Sequence, residues 1–371
     1  MKDKVFVAGP CSVESEDQML ETAAQLAPHE VTILRGGIWK PRTRPGSFEG
    51  IGVQGLPWLK NAGNLLGVPV TTEVAKPLHV EASLKAGIDI LWIGARTTTD
   101  PFAVQEIADA LQGVDIPVMI KNPMNPDLEL WVGALERIAQ AGITKIMAVH
   151  RGFSTYRENL YRNQPIWRIP IELRRRMPGL PLVCDPSHIC GRRKNIRLVA
   201  QEAMDYLFDG LMIEVHCSPR TALSDAQQQL TPRQYADLLK KLQRPSSNDH
   251  AELAVGILAD LRKEIDAIDD DVIALLAKRM EVVAQIGAWK RHHNVSLFQP
   301  TRWDHVLHNR IQMGLRRHLP ERFVRGLFEQ IHEHALNIQG ERSTNGGPRG
   351  LKSINAGVVG KQQLVLSGGR S

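Results

Sequence analysis

Residues 184–191 read CDPSHICG and residues 213–229 read IEVHCSPRTALSDAQQQ. Each stretch opens at the end of a short apolar run, PLVC (181–184) or GLMIEV (210–215), and then turns polar. His188, Glu214 and Asp225 therefore stand at or just beyond two strand-like ends. A neutral imidazole and two carboxylates are donors suited to a divalent transition metal, and one or two more ligands complete such a set. Cys11, in VFVAGPCSVE, follows another apolar run and is the candidate for the fourth. Taken singly, each residue is as well read as a capping or core histidine or a surface charge. Their recurrence at corresponding strand ends argues for a shared site.

Outward from these stretches the same unit repeats. Eight apolar runs occur in the first 215 residues: VFVA (5–8), VTIL (31–34), PVTTEV (69–74), ILWIG (90–94), PVMI (117–120), KIMAV (145–149), PLVC and GLMIEV. Consecutive apolar, often β-branched positions mark parallel strands buried on both faces. Amphipathic helical patterns lie between them, such as DQMLETAAQLA (17–27) and LELWVGALERIAQAG (128–142), and several end at Gly. A doubly wound sheet has the same local pattern, but eight strand–helix repeats over about 240 residues favour a (β/α)8 TIM barrel.

In a barrel the loops after the strands form the functional face. Cys11 follows strand one, Arg35 ends strand two and Glu73 lies near the end of strand three. Arg96 follows strand four, Lys121 strand five, and His150 with Arg151 strand six. His188 follows strand seven, and Glu214 and Asp225 follow strand eight. The long loop GGIWKPRTRPGSFEGIG (36–52) adds Lys40, Arg42 and Thr43. Arginine suits bidentate carboxylate or phosphate binding, and lysine supplies a point charge. So many cations around one metal site imply two phosphorylated or carboxylated substrates.

The chain has 371 residues, 43% hydrophobic and 23% charged, as in a folded multi-domain protein. No apolar run reaches the length of a membrane span, and no secretory leader is evident. Four scattered cysteines argue against a disulfide framework and for a reduced, cytoplasmic protein. The net charge of +6 is spread along the chain and only 5% of residues are aromatic, which argues against nucleic acid. The clusters Arg174–Arg176 and Arg192–Lys194 read as solvated helix ends.

After residue 243 the pattern changes. QRPSSNDHA suggests a linker (244–251), and from 252 an apolar stripe steps by three and four through Ile257, Leu261, Ile265, Ile268, Val272, Leu275, Val282 and Ile286. About forty residues make a helix on the order of 60 Å long, too long to bury its stripe in a small unit, so a partner chain is expected. Arg279 interrupts the stripe. Lys290 lies about 20° further round and roughly 16 Å along, placed to grip the other end of one small anion. Arg262 lies roughly 25 Å away and reaches that ligand only from a second antiparallel chain. All three cations snorkelling to solvent is the bland alternative. The all-α region is expected to run over 252–340, and the Gly- and Ser-rich residues 341–371 to form a disordered tail.

The motifs GPCSVE, LRGG, KPRT, IGAR, HRG, CDPSH, IEVH and SDAQQ, with the lysine after strand five, resemble 3-deoxy-D-arabino-heptulosonate 7-phosphate (DAHP) synthase over residues 1–243. The resemblance implies metal-dependent condensation of phosphoenolpyruvate with erythrose 4-phosphate. Cys11, His188, Glu214 and Asp225 match the family's metal ligands; manganese is the foremost candidate, with iron, cobalt or zinc as alternatives. Arg35, Lys40, Arg96, Lys121 and Arg151 match phosphoenolpyruvate-binding positions, and Arg42 and Thr43 those for the aldose phosphate. Lys121 and Glu73 are the candidate proton carriers. A related condensation on arabinose 5-phosphate is the nearest competitor, and KPRT and IGAR favour the DAHP reading.

The run LRKEIDAIDDDVIALLAKRMEVVAQIGAWK (261–290) resembles the all-helical chorismate mutase, which converts chorismate to prephenate as an intertwined dimer. Arg262, Arg279, Lys290, Arg302 and Gln339 match its ligand-binding positions, with Lys290 and Gln339 at the breaking ether oxygen. Gln299 and Trp303 stand where many relatives carry acids, and Ala335 replaces a frequent serine. A second reading follows: a ligand-sensing module that regulates the barrel through chorismate or prephenate. The assembly expected is a homodimer or tetramer.

Overall fold

The structure, a computed structural model, describes residues 4–40, 46–155, 160–243 and 251–340, with the backbone alone for 251–258. Arg42, Thr43, most of the expected linker and the expected tail lie outside the described residues. The chain divides into two compact units, Met1–Ser247 and Asn248–Ser371.

The first unit is a closed barrel of eight parallel strands in sequence order. They are β1 (Val5–Gly9), β2 (Ile33–Arg35), β3 (Val70–Val74), β4 (Ile90–Ile93), β5 (Val118–Lys121), β6 (Ile146–His150), β7 (Leu182–Cys184) and β8 (Gly210–Glu214). Its helices are α1 (Glu16–Leu26), α2 (Gly55–Leu66), α3 (Pro77–Lys85), α4 (Ala95–Thr98), α5 (Pro101–Ala110), α6 (Leu128–Gln140), α7 (Arg168–Arg176), α8 (Pro186–Cys190), α9 (Ile196–Asp205) and α10 (Pro232–Lys241). The β1–β8 pairing closes the barrel and sets Gly9 opposite Glu214. Chain leaving β1 therefore emerges beside the end of β8. Only glycine fits at position 9: φ is +142°, and a Cβ would lie 2.2 Å from the Arg35 carbonyl oxygen.

Strand period two divides the side chains into two shells. Val7, Ile33, Ile90, Trp92, Met119, Val149, Val183 and Met212 fill the barrel interior. Each such buried side chain contributes about 1.5–3 kcal/mol of hydrophobic stabilisation. A step of two residues toward the C-terminal rim runs from Ile33 to Arg35, Met119 to Lys121, Val149 to Arg151, Val183 to Asp185 and Met212 to Glu214. The alternate residues, Leu34, Ile120, Ala148 and Leu211 among them, pack outward against the helices.

The second unit contains α11 (Ala251–His292), α12 (Pro300–Leu315) and α13 (Glu321–Gly340). Helix α13 packs on both α11 and α12. Val283, Ile311, Val324 and Ala335 are buried there, whereas Leu261, Ile265, Ile268, Val272 and Leu275 of the α11 stripe are exposed, Leu275 by 67%.

Candidate active site

The interior shell determines what reaches the barrel mouth. Trp92 forms the floor: the Arg35 guanidinium carbon lies 4.9 Å and Lys121 Nζ 5.6 Å from its ring centroid. Gly94, two residues further along, leaves space for Glu73, whose Oε1 would lie 1.9 Å from a Cβ at that position. Arg35, Lys121, Arg151, Asp185 and Glu214 are all buried.

The Cys11 thiol and the carboxylates of Glu214 and Asp225 offer donor atoms within 4.8 Å of one another. Cys11 Sγ is 3.4 Å from Asp225 Oδ2. His188 stands beside this trio, its Nε2 3.6 Å from Glu214 Oε1. Asp225 adopts a left-handed φ of 44°, a conformation that Asp tolerates better than most residues. The surrounding polar groups fix the donors. Gln228 Nε2 donates to Glu214 Oε2 at 2.7 Å, and the Cys11 N–H donates to Gln229 Oε1 at 2.9 Å. Arg193, expected to be a solvated helix end, instead donates to the carbonyls of Ala226 and Gln229 at 2.8 and 3.0 Å and holds the loop carrying Asp225.

Electrostatics favour a cation among these donors. Burial, then the Glu214 charge, pushes the Cys11 thiol up to about 12, so ionising it calls for a positive charge at the sulfur. Glu214 Oε1 is buried without a hydrogen-bond donor, although Arg35 Nη2 lies 3.2 Å away. Sulfur, imidazole and carboxylate together fit a divalent transition ion, which Cys11, His188, Glu214 and Asp225 would hold.

Asp185, inside the quoted CDPSH motif but given no role from sequence, links the two halves of the site. Its Oδ2 lies 2.8 Å from both Lys121 Nζ and His188 Nδ1, and its Oδ1 accepts from the His188 N–H. Burial pulls the Asp185 carboxyl up, yet His188, Lys121 and Arg35 together hold it well below the usual carboxylate range. Burial lowers Lys121 below the ordinary lysine value against the pull of Asp185. Burial likewise brings Arg151 down to about 10; its Nη1 donates to Asn163 Oδ1 at 2.9 Å. Asn163 in turn donates through Nδ2 to the His188 carbonyl at 2.7 Å, another contact that sequence reading missed.

Lys40 is folded back over Gly37, and its charge acts on Cys11. The loop that carries it is anchored where the Trp39 ring stacks on His79 of α3, with centroids 4.0 Å apart. Arg96 lies exposed on α4. His150 is not at the mouth. As an alternate residue of β6 it faces outward among Trp131, Phe153, Trp167 and Phe208, and burial brings its pKa down to about 3. His216 also turns away, its Nε2 3.7 Å from Glu14 Oε2.

In the helical unit, Arg279, Val283, Gly287 and Lys290 fall on one face of α11. Lys290 Nζ donates to the Leu297 carbonyl at 2.7 Å, and Gln339 is buried with Oε1 lacking a donor. Arg262 and Arg302 are exposed on α11 and α12.

The fold and site define a (β/α)8-barrel enzyme that sets a transition-metal-type donor group among buried cations, joined to a three-helix unit. The DAHP synthetase I family model matches residues 2–248, and the chorismate mutase type II model matches residues 261–340. Phospho-2-dehydro-3-deoxyheptonate aldolase of Thermotoga maritima is 34% identical over 239 residues, covering 64% of this chain and 69% of that protein. The crystal structure of that organism's DAHP synthase superposes with a TM-score of 0.57 at 33% identity, over 64% of this chain and 68% of the other. The 2-dehydro-3-deoxyphosphooctonate aldolase of Geobacter sulfurreducens is 28% identical over 264 residues, covering 64% of this chain and 90% of that protein. The chain belongs to the DAHP synthetase I family. With its chorismate mutase domain it is a bifunctional enzyme of aromatic biosynthesis. Among the described residues no helix is long and apolar enough to cross a membrane.

Proposed function

We propose that the barrel condenses phosphoenolpyruvate with erythrose 4-phosphate in a divalent-metal-dependent reaction, yielding DAHP and phosphate. The observation carrying this reading is the meeting of Cys11, Glu214 and Asp225 within 4.8 Å of one another, beside His188 and two buried cations, Arg35 and Lys121. When bound, a divalent ion supplies Lewis acidity toward an aldehyde oxygen; manganese is the foremost candidate, with iron, cobalt or zinc as alternatives. Arg35, Lys40, Arg96 and Arg151 hold the anionic groups of phosphoenolpyruvate, and Arg42 and Thr43 take the aldose phosphate. Lys121, lowered by burial, delivers a proton to the new alkoxide, while Glu73 takes one from the water that attacks the former enol carbon. The higher identity to the heptonate than to the octonate aldolase supports erythrose 4-phosphate over arabinose 5-phosphate. Chelation should abolish condensation and added manganese should restore it; full activity in excess chelator would contradict the reading.

The helical unit rearranges chorismate to prephenate. Arg279, with Arg262 of a second copy and Arg302, holds the carboxylates, while Lys290 and Gln339 face the breaking ether oxygen. The exposed α11 stripe supports a homodimer or larger homo-oligomer. The scattered cysteines and the pathway support a cytoplasmic location. Prephenate or chorismate bound here also regulates the barrel. A sensor with little turnover is the second reading, favoured by Trp303, which stacks on His332 where many relatives carry an acid. Arg279→Ala separates shared from separate sites. Loss of mutase turnover with unchanged inhibition of the barrel by prephenate would sink the shared site.

A further inference from the structure

His332 of α13 lies flat on Trp303 of α12, with ring centroids 3.9 Å apart and planes 9° apart. On α13, His332, Ala335 and Gln339 fall at i, i+3 and i+7 and share one face. That face meets the cationic face of α11: a Cβ at Gly287 would lie 2.8 Å from Gln339 Cα. Burial, then the charges of Arg279 and Lys290, lowers the His332 pKa from its ordinary 6.5, which favours the neutral ring. Its Nε2 is buried without a hydrogen-bond partner. Leaving a buried polar atom in that condition is destabilising, and a ligand that supplies a partner removes the penalty.

We propose that His332 Nε2 is a substrate contact of the mutase site and hydrogen-bonds the ring hydroxyl of chorismate, an assignment that rests on the mutase reading above. The division of labour follows from charge. Arg279 and Lys290 are matched to the carboxylates and the ether oxygen, whereas a neutral imidazole, donor at one nitrogen and acceptor at the other, matches a hydroxyl. Trp303 fixes the ring plane, so the nitrogen is held in place before the ligand arrives. Among the described residues, Arg279 and Lys290 of α11 are the charges acting on the ring. Helix α12 presents the Trp303 indole, and the segment before it presents Phe298, 6.0 Å away.

The test uses the intact chain and three proteins: wild type, His332→Phe, which keeps the stack and deletes both nitrogens, and His332→Gln, which returns an amide near Nε2. Mutase kcat/KM is measured from about pH 5 to 8, with barrel activity and the melting temperature as folding controls. His332→Phe should lose about tenfold or more in kcat/KM without an early melt. His332→Gln should recover part of the loss. Wild-type kcat/KM should fall with acid through the His332 pKa, and this limb should vanish in both variants. Wild-type kcat/KM in His332→Phe overturns the proposal and leaves the mutase reading standing. Wild type that neither turns over nor binds chorismate overturns the mutase reading, and the proposal with it. If His332→Phe melts early, His332→Gln decides: wild-type kcat/KM with an unchanged acid limb overturns the proposal.

Discussion

Lys121 and Asp185 form a buried ion pair, Nζ to Oδ2 at 2.8 Å, at the bottom of the barrel mouth. The same carboxylate oxygen lies 2.8 Å from His188 Nδ1. One acid thus links the proposed proton carrier to a proposed metal ligand, as carboxylates that orient metal-bound histidines commonly do. Asp185→Asn should weaken manganese affinity by about 10–100-fold and lower kcat with it. Breaking the buried pair should also cost about 3–5 kcal/mol of stability. Metal titration and denaturant unfolding check both; wild-type metal affinity would remove Asp185 from the site's architecture.

The proton role of Lys121 gives a signed pH dependence. Its ammonium must be charged to donate, and burial lowers its pKa below the ordinary 10.5. Condensation kcat should therefore fall as pH rises through that lowered pKa, on the alkaline side of the profile. Lys121→Arg, which does not deprotonate in this range, should erase the alkaline limb along with most of the activity. An alkaline limb unchanged in the variant would assign it to another group.

Gly94→Ala isolates Glu73. The backbone there has φ of −74°, which alanine adopts without strain, but its Cβ would sit 1.9 Å from Glu73 Oε1. The carboxylate must swing aside while the metal donors stay in place. Condensation should drop about 10²-fold, within the range for a displaced acid–base group, at unchanged metal affinity. Near wild-type turnover would end the case for Glu73.

Arg193→Ala tests how the metal loop is held. Two hydrogen bonds from its guanidinium, to the Ala226 and Gln229 carbonyls, disappear. Hydrogen bonds from charged donors contribute about 1.5–3 kcal/mol, toward the lower end at this half-buried position. Metal affinity should weaken by about tenfold, with a melting temperature lower by roughly 2–4 °C. Unchanged metal affinity would show that Asp225 is positioned without it.

The strand ends were legible because each run of consecutive apolar residues stops there, which put Arg35, Lys121 and Glu214 at the mouth. The strict period of two inside each strand, seen only in the folded barrel, adds Asp185 to that set and turns His150 outward, a consequence missed when it was counted as a rim residue. Asp185 went without a role because its partners, Lys121 and the His188 ring, meet it only in the folded barrel, where it also caps α8. Gln228, Gln229 and Arg193 act through long-range contacts with backbone and carboxylates that no local pattern encodes. In the helical unit the stripe revealed α11, whereas the Trp303–His332 stack joins two helices whose register sequence spacing leaves undetermined.

Whether Cys11, His188, Glu214 and Asp225 close on one ion can be read from X-ray absorption on the zinc-loaded chain. One sulfur neighbour at about 2.3 Å is expected with nitrogen and oxygen neighbours at about 2.0–2.2 Å, the sulfur vanishing in Cys11→Ser. A shell of nitrogen and oxygen alone in the wild type would contradict this expectation.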